Sequence, residues 1–119
     1  MTDHPQILSV KFFRTELGNE PVRAWLSELS REDRRVIGTD IKTVQYGWPI
    51  GMPIVRKLDN GLWETRSYLN GAIARVIFTV SGAHMILLHG FIKKSQKTPA
   101  VDLRTARSRQ SNLRGTFNE

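Results

Sequence analysis

The sequence has 119 residues, no cysteine and a net charge of +7, and 39% of its residues are hydrophobic. These values suit one globular domain over residues 1–119, in which we expect residues 1–5 and about 113–119 to be flexible. They exclude a disulfide scaffold, a thiolate metal site and a thiol nucleophile, and the basic charge favours an anionic partner such as nucleic acid.

The first half of the chain predicts one strand followed by two helices. Residues 7–14 (ILSVKFFR) have the composition of a strand. Apolar residues then recur at helical spacing from Val22 to Leu29, and Asn19 is a candidate N-cap. Ser30 is typical of the first residue of a capping box, which predicts a second helix over residues 31–45.

The second half predicts a sheet followed by a helix. Residues 54–58 form a strand that a hairpin turn joins to the next. From Leu62 to Thr98, three short apolar runs are separated by Asn-Gly and Ser-Gly pairs, which predicts a meander of antiparallel strands. A helix begins after Pro99 and should fade near residues 112–115. This order predicts an α+β domain with a mostly antiparallel sheet.

Hydropathy and histidine spacing argue against a membrane-spanning segment, a signal peptide and a metal site. The sequence contains no run of 18 apolar residues and no basic-then-apolar signal pattern at its N-terminus. We therefore expect a cytoplasmic protein that does not contact a membrane. The three histidines lie far apart without the spacing of metal ligands, so we expect neither a metal nor a cofactor.

Alternation along the predicted strands sorts the candidate functional residues. Glu64, Arg66 and Tyr68 share one face of their strand, and Arg75 on the next strand could lie beside Arg66 across the hairpin. Two neighbouring guanidinium groups repel each other unless an anion or Glu64 compensates. This surface either binds phosphate or carries ordinary ion pairs on a solvated face of the sheet.

Cleavage of RNA through its 2′-hydroxyl requires a base, cations for the phosphorane and an acid for the leaving 5′-oxygen. Glu64 is the candidate base, Arg66 and Arg75 could stabilise the charge, and a nearby lysine could assist the leaving group. The candidate catalytic residues are Glu64, Arg66, Arg75, Lys93 and Lys94. The candidate substrate-binding residues are Lys57, Tyr68, His89 and Lys97.

His89 and the tryptophans have structural interpretations as well. By alternation, His89 shares a face with Met85, Leu87 and Phe91, which favours a half-buried histidine with a backbone partner. An acid–base role stays open because histidine titrates near neutral pH. The tryptophans are interpreted as core or core-edge residues rather than as stacking platforms for bases: Trp25, Trp48 and Trp63.

Several of these stretches resemble a known family. RKLDNGLWETR, ARVIF and LLHGFIKKSQKTPAVDLRTAR, within about residues 55–107, are similar to the phage-derived HigB-like branch of the RelE/ParE toxin superfamily. In that branch a WE-x-R strand, an R-[VI]-[IL]-[FY] strand and an L-[HT]-x-F-x-K-K-[ST]-x-K-T-P segment recur in this order. The K-K-S-Q-K-T-P string is the most specific part of the match.

The resemblance implies a RelE-like fold and the toxin of a type II toxin–antitoxin pair. Such a toxin usually cuts mRNA in the A site of the 30S ribosomal subunit without a metal. The catalytic cations of that fold correspond here to Arg66, Arg75 and Lys93 or Lys94. Glu64 stands where RelE has a lysine, and the catalytic tyrosine of RelE has no obvious counterpart near residues 96–99.

The resemblance also implies a partner and leaves two alternative functions. The partner is a cognate helix-turn-helix antitoxin, and the complex of the two would bind operator DNA and repress its own promoter. One alternative is a ParE-like toxin that is not a nuclease and inhibits DNA gyrase. The other is an RNA-binding accessory protein without catalysis, whose RNA binding would depend on salt.

Overall fold

The computed structural model describes residues 7–93 and 97–117, and for residues 114–117 the backbone alone. Over these residues the chain forms five strands and three helices. In chain order they are β1 (Ser9–Phe12), α1 (Pro21–Ser27), α2 (Arg31–Gly47), β2 (Val55–Asp59), β3 (Leu62–Leu69), β4 (Ala72–Ser81), β5 (His84–Lys93) and α3 (Ala100–Phe117).

The strands form one sheet in the order β1-β5-β4-β3-β2. The pairs from β2 to β5 are antiparallel, while β1 is parallel to β5. Each hairpin turn contains a glycine in the left-handed region, for example Gly71 with a φ of 81°, which other residues adopt only under strain. The prediction of an α+β fold with a mostly antiparallel sheet is confirmed.

Two apolar layers cover the two faces of the sheet. On one face, α2 buries Ile37, Ile41 and Val44 against strand residues such as Val76 and Phe78. This layer also contains the three tryptophans, partly buried, which confirms their interpretation as core residues. On the other face, α3 contributes Ala106, Leu113 and the partly buried Leu103 to a second layer over β3, β4 and β5. The face under α3 is called the α3 face below.

The helix boundaries follow the predicted signals with small shifts. The Ser30 hydroxyl accepts a hydrogen bond from the Asp33 amide at 3.1 Å, so the predicted cap of α2 is confirmed. The prediction that Asn19 caps α1 is wrong, because the N-cap position belongs to Glu20, whose side chain makes no capping bond. The helix α3 continues to Phe117, beyond its predicted end. Within residues 7–93 and 97–117, no helix is long and apolar enough to cross a membrane.

The packing of α1 on the sheet depends on Gly90, and this dependence gives a first prediction. A Cβ atom at Gly90 would lie 2.4 Å from Cε3 of Trp25, which no core tolerates without rearrangement. We expect Gly90→Ala to lower the free energy of unfolding by about 1–3 kcal/mol. Gly38→Ala is the control: the same change there meets open space in α2 and should raise stability by up to about 1 kcal/mol. Urea titration of both variants measures the difference, and equal effects would contradict this account.

Candidate active site

Two arginines and one glutamate meet on the α3 face of the sheet. The register of the β3–β4 hairpin places Arg66 directly opposite Arg75, the arrangement that the sequence left open. Glu64 precedes Arg66 by two residues, so its side chain projects from the same face. The three residues are called the Glu64 cluster below.

The Glu64 cluster is an ion-paired group removed from water. Glu64 and Arg75 have 0% relative exposure, and Arg66 has 6%. Oε1 of Glu64 lies 3.1 Å from Nε of Arg66, which donates a hydrogen bond, and 3.8 Å from Nη1 of Arg75. One carboxylate therefore faces two guanidinium groups, and the cluster keeps one positive charge in excess.

A threonine hydroxyl completes the arrangement. Oγ1 of Thr98 donates a hydrogen bond to Oε2 of Glu64 at 2.8 Å and accepts one from Nη1 of Arg75 at 3.4 Å. A hydroxyl group is thus held between a carboxylate and a cation. Thr98 is not among the site residues predicted from the sequence, although it lies in the K-T-P string that carries the resemblance.

Burial and neighbouring charges both act on the guanidinium group of Arg75. Burial lowers the pKa of Arg75, and the attraction of Glu64 opposes this effect. Two other guanidinium groups, those of Arg66 and Arg56, lower the pKa of Arg75 further because like charges repel. A bound phosphate would relieve that repulsion.

The predicted site residues at Tyr68, Lys93 and Lys97 are exposed to solvent. Tyr68 is 59% exposed and follows Arg66 on the same face. Lys93 is exposed at the end of β5, in register with Ile73 of β4, and Lys97 is exposed just before Thr98. Lys94 lies outside the described residues.

Lys57 is not brought to the cluster. It pairs with Trp63 in the β2–β3 register, so it lies on the face opposite Glu64. Its Nζ atom is 6.0 Å from the centroid of the Trp63 ring. The cation of β2 on the α3 face is Arg56, which pairs with Glu64. Alternation applied to β2 would have found Arg56, had the β2–β3 register been known.

His89 lies on the α3 face for a reason that alternation did not predict. The β4–β5 register shifts after Ile77, which pairs with His89, while the next residue pairs with Leu87. The extra residue, Leu88, forms a bulge and packs in the layer under α3. The expectation that His89 shares a face with Met85 and Leu87 is therefore wrong, since both pack in the opposite layer.

The partner of His89 is a carboxylate rather than a backbone group. Nε2 of His89 lies 2.7 Å from Oδ1 of Asp102 on α3, and Nδ1 lies 3.5 Å from Nη1 of Arg109. Arg109 also donates a hydrogen bond to the carbonyl oxygen of Leu88 at 2.8 Å. Buried Ile77 stands between His89 and Glu64 in the register. This network connects α3 to β5 and lies apart from the Glu64 cluster.

The hydrogen bond between His89 and Asp102 gives a second stability prediction. Asp102→Ala removes the acceptor of a half-buried imidazole, so we expect the free energy of unfolding to fall by about 1–2 kcal/mol. Glu16→Ala, which removes a carboxylate from an exposed turn position, should leave stability unchanged. Thermal unfolding followed by circular dichroism measures both. Equal melting temperatures for the two variants would contradict the assignment.

A comparison with models of protein families identifies the family of the chain. Residues 24–111 match the family model described as Phage derived protein Gp49-like (DUF891). The chain belongs to this Gp49-like family. The family is related to the RelE-like toxins, and the matched residues include the Glu64 cluster, Arg56 and Thr98. A comparison with curated proteins found no match.

The Gp49-like chain thus carries a site with two chemical capacities. Its guanidinium groups can bind phosphate oxygens through paired hydrogen bonds. Its carboxylate can accept a proton from a hydroxyl group that takes the position of the Thr98 hydroxyl. Among the residues that the structure describes, no three histidine or carboxylate side chains converge as metal ligands.

Proposed function

We propose that the protein is the toxin of a type II toxin–antitoxin system, of the HigB-like kind, and that it cuts mRNA on the ribosome by metal-independent attack of a 2′-hydroxyl. The position of the Thr98 hydroxyl, between Oε2 of Glu64 and Nη1 of Arg75, carries the proposal. A ribose 2′-hydroxyl that replaced it would touch both a proton acceptor and a cation that binds phosphate.

Each group of the cluster has a role in the reaction that we propose. Glu64 takes the proton of the 2′-hydroxyl, whose oxygen attacks the adjacent phosphorus. Arg66 and Arg75 stabilise the charge of the phosphorane, and Lys93 donates a proton to the departing 5′-oxygen. The bond to that oxygen breaks, which leaves a 2′,3′-cyclic phosphate upstream and a 5′-hydroxyl downstream. Tyr68 is exposed beside Arg66 and can stack on a base.

A bacterial cell that makes such a nuclease needs a partner protein that inhibits it. We propose a helix-turn-helix antitoxin encoded beside this protein, with operator DNA bound only through the complex. Toxin, antitoxin and translating ribosome would meet in the cytoplasm. The positive charge of +7 suits both an RNA substrate and an acidic antitoxin surface.

Expression of the protein in bacteria tests the proposal. We expect the wild-type protein to arrest growth and to leave mRNA cut within codons, as mapping of mRNA 5′ ends would show. Lys93→Ala should relieve both effects, because it removes the cation that we propose to assist the departing 5′-oxygen. Lys11→Ala is the control, since it removes an exposed lysine from β1, which is the edge strand opposite β2 and is not in contact with β3 or β4 in the sheet order. Equal toxicity of all three proteins would contradict the assignment of Lys93.

Two other experimental outcomes would each support an alternative function instead. Inhibited DNA supercoiling with intact mRNA would identify a ParE-like toxin that acts on gyrase. Salt-dependent binding of RNA that stays intact would identify a binding protein without catalysis.

A further inference from the structure

Thr98 and Asp102 are the two ends of a segment, called the strap below, that crosses the α3 face of the sheet. At one end, the hydroxyl of Thr98 donates a hydrogen bond to Oε2 of Glu64 on β3 at 2.8 Å. At the other end, Oδ1 of Asp102 lies 2.7 Å from Nε2 of His89 on β5. Ile77 of β4 is in register with both Glu64 and His89, so the strap passes over Ile77.

The strap is held by its polar ends rather than by apolar packing. All of its residues are described by the structure, and none of their side chains is buried; Val101, near its middle, is 59% exposed. The buried side chains of α3, Ala106 and Leu113, come later in the helix. A polar contact can be exchanged for water at a small net cost, whereas a buried apolar side chain resists exposure. The strap therefore belongs to the part of the fold that opens most easily.

The strap closes the Glu64 cluster to other molecules. Glu64 and Arg75 have 0% relative exposure, and the Thr98 hydroxyl occupies the position between them in which the reaction requires a ribose 2′-hydroxyl. Two hydroxyl groups cannot fill one position. The 2′-hydroxyl can reach Glu64 only after Thr98 has moved away.

We propose that the strap is an autoinhibitory closure, which moves off the sheet to admit RNA, and that Thr98 competes with the 2′-hydroxyl for the Glu64 cluster. The inference rests on the proposed function, because it assumes that the cluster acts on RNA. When only a fraction of the molecules is open, the apparent affinity for RNA is reduced by that fraction. A change that weakens the closed strap should therefore strengthen apparent binding of the substrate.

The reactivity of a buried thiol measures opening of the strap without RNA. The chain has no cysteine, so Ile77→Cys supplies a single thiol beneath the strap, and iodoacetamide alkylates it only when the strap is open. We expect Thr98→Val in this background to raise the alkylation rate about tenfold, because it removes a hydrogen bond to a carboxylate. Thr105→Val is the matched control: the Thr105 hydroxyl donates to the carbonyl oxygen of Val101 within α3, so the rate should stay the same.

A second thiol separates opening of the strap from a general loosening of the fold. Val76, the neighbour of Ile77 on β4, is also fully buried, but it packs in the layer on the opposite face, under α2. We expect Thr98→Val to leave the alkylation rate of Val76→Cys unchanged. An equal rise at both thiols, or no rise at Ile77→Cys, would overturn the inference whatever the protein does to RNA.

Cleavage of mRNA on programmed ribosomes tests the competition itself. Single-turnover rates over a range of protein concentrations give a half-saturating concentration for each variant. We expect Thr98→Val to lower this concentration about tenfold and Thr105→Val to leave it unchanged. An unchanged or higher value for Thr98→Val, with active wild type, would overturn the inference and leave the function standing. Wild type that leaves mRNA intact would overturn the function and the competition with it, while the alkylation rates would still decide whether the strap opens.

Discussion

Replacing Arg75 by methionine is expected to lower the maximal rate of mRNA cleavage by at least about 100-fold. Arg75 is fully buried beside Glu64 and donates a hydrogen bond to the hydroxyl of Thr98. The expected loss equals that of one preorganised donor to a developing negative charge. Single-turnover cleavage on programmed ribosomes measures it.

A second buried substitution on the same strand controls for a general loss of structure. Thr79 lies on β4, on the same face as Arg75, and is 7% exposed. Thr79→Val changes one buried polar group to an isosteric apolar one outside the cluster. We expect Thr79→Val to cleave mRNA at a rate within about threefold of the wild type, since it touches no proposed reacting group. Circular dichroism should show both variants to be folded. Folded Arg75→Met with normal activity would remove Arg75 from the mechanism.

Replacing Glu64 by glutamine is expected to lower the free energy of unfolding by about 3–5 kcal/mol. The change leaves two buried guanidinium groups side by side, on strands in direct register. The amide oxygen can still accept a hydrogen bond, but it no longer neutralises either charge. Activity should be lost as well, since an amide cannot take a proton from the 2′-hydroxyl. Urea titration measures the stability.

An exposed ion pair of similar geometry is the control for Glu64→Gln. Glu32 pairs with Arg35 on α2, at 2.7 Å between Oε2 and Nη2, with both side chains mostly exposed. The pair holds the pKa of Glu32 below its ordinary value, yet solvent screens most of its effect. We expect Glu32→Gln to leave stability unchanged. Sulfate should raise the melting temperature of Glu64→Gln more than that of the wild type, because it supplies the missing anion. An equal rise in both would contradict an anion-binding role for the cluster.

The sequence indicated which residues could form the cluster, because strand alternation and the hairpin turn are local features. Alternation with a period of two placed Glu64 and Arg66 on one face. The Asn70-Gly71 turn fixed the hairpin, and with it the contact of Arg66 with Arg75. Such information lies within a dozen neighbouring residues of the chain. The burial of the cluster was not predicted, because the residues that cover it come from elsewhere.

Contacts between distant segments account for what the sequence did not predict. Thr98 reaches Glu64 from 34 positions along the chain, and β1 pairs with β5 through residues as far apart as Ser9 and His84. Neither contact has a local pattern. The bulge at Leu88 breaks the period of two, so alternation assigned His89 to the same face as residues that pack on the other side. An aspartate on α3 then supplied its partner.

The chemical identity of the RNA ends tests the central claim most directly. If the Glu64 cluster lets a ribose 2′-hydroxyl attack its own phosphate, purified protein on programmed ribosomes will leave upstream fragments that end in a 2′,3′-cyclic phosphate. Mass spectrometry of the fragments would detect that group. We expect this group for the wild type and for Thr79→Val, and we expect intact mRNA for Arg75→Met. Intact mRNA with folded wild-type protein, or equal cleavage by Arg75→Met, would contradict it.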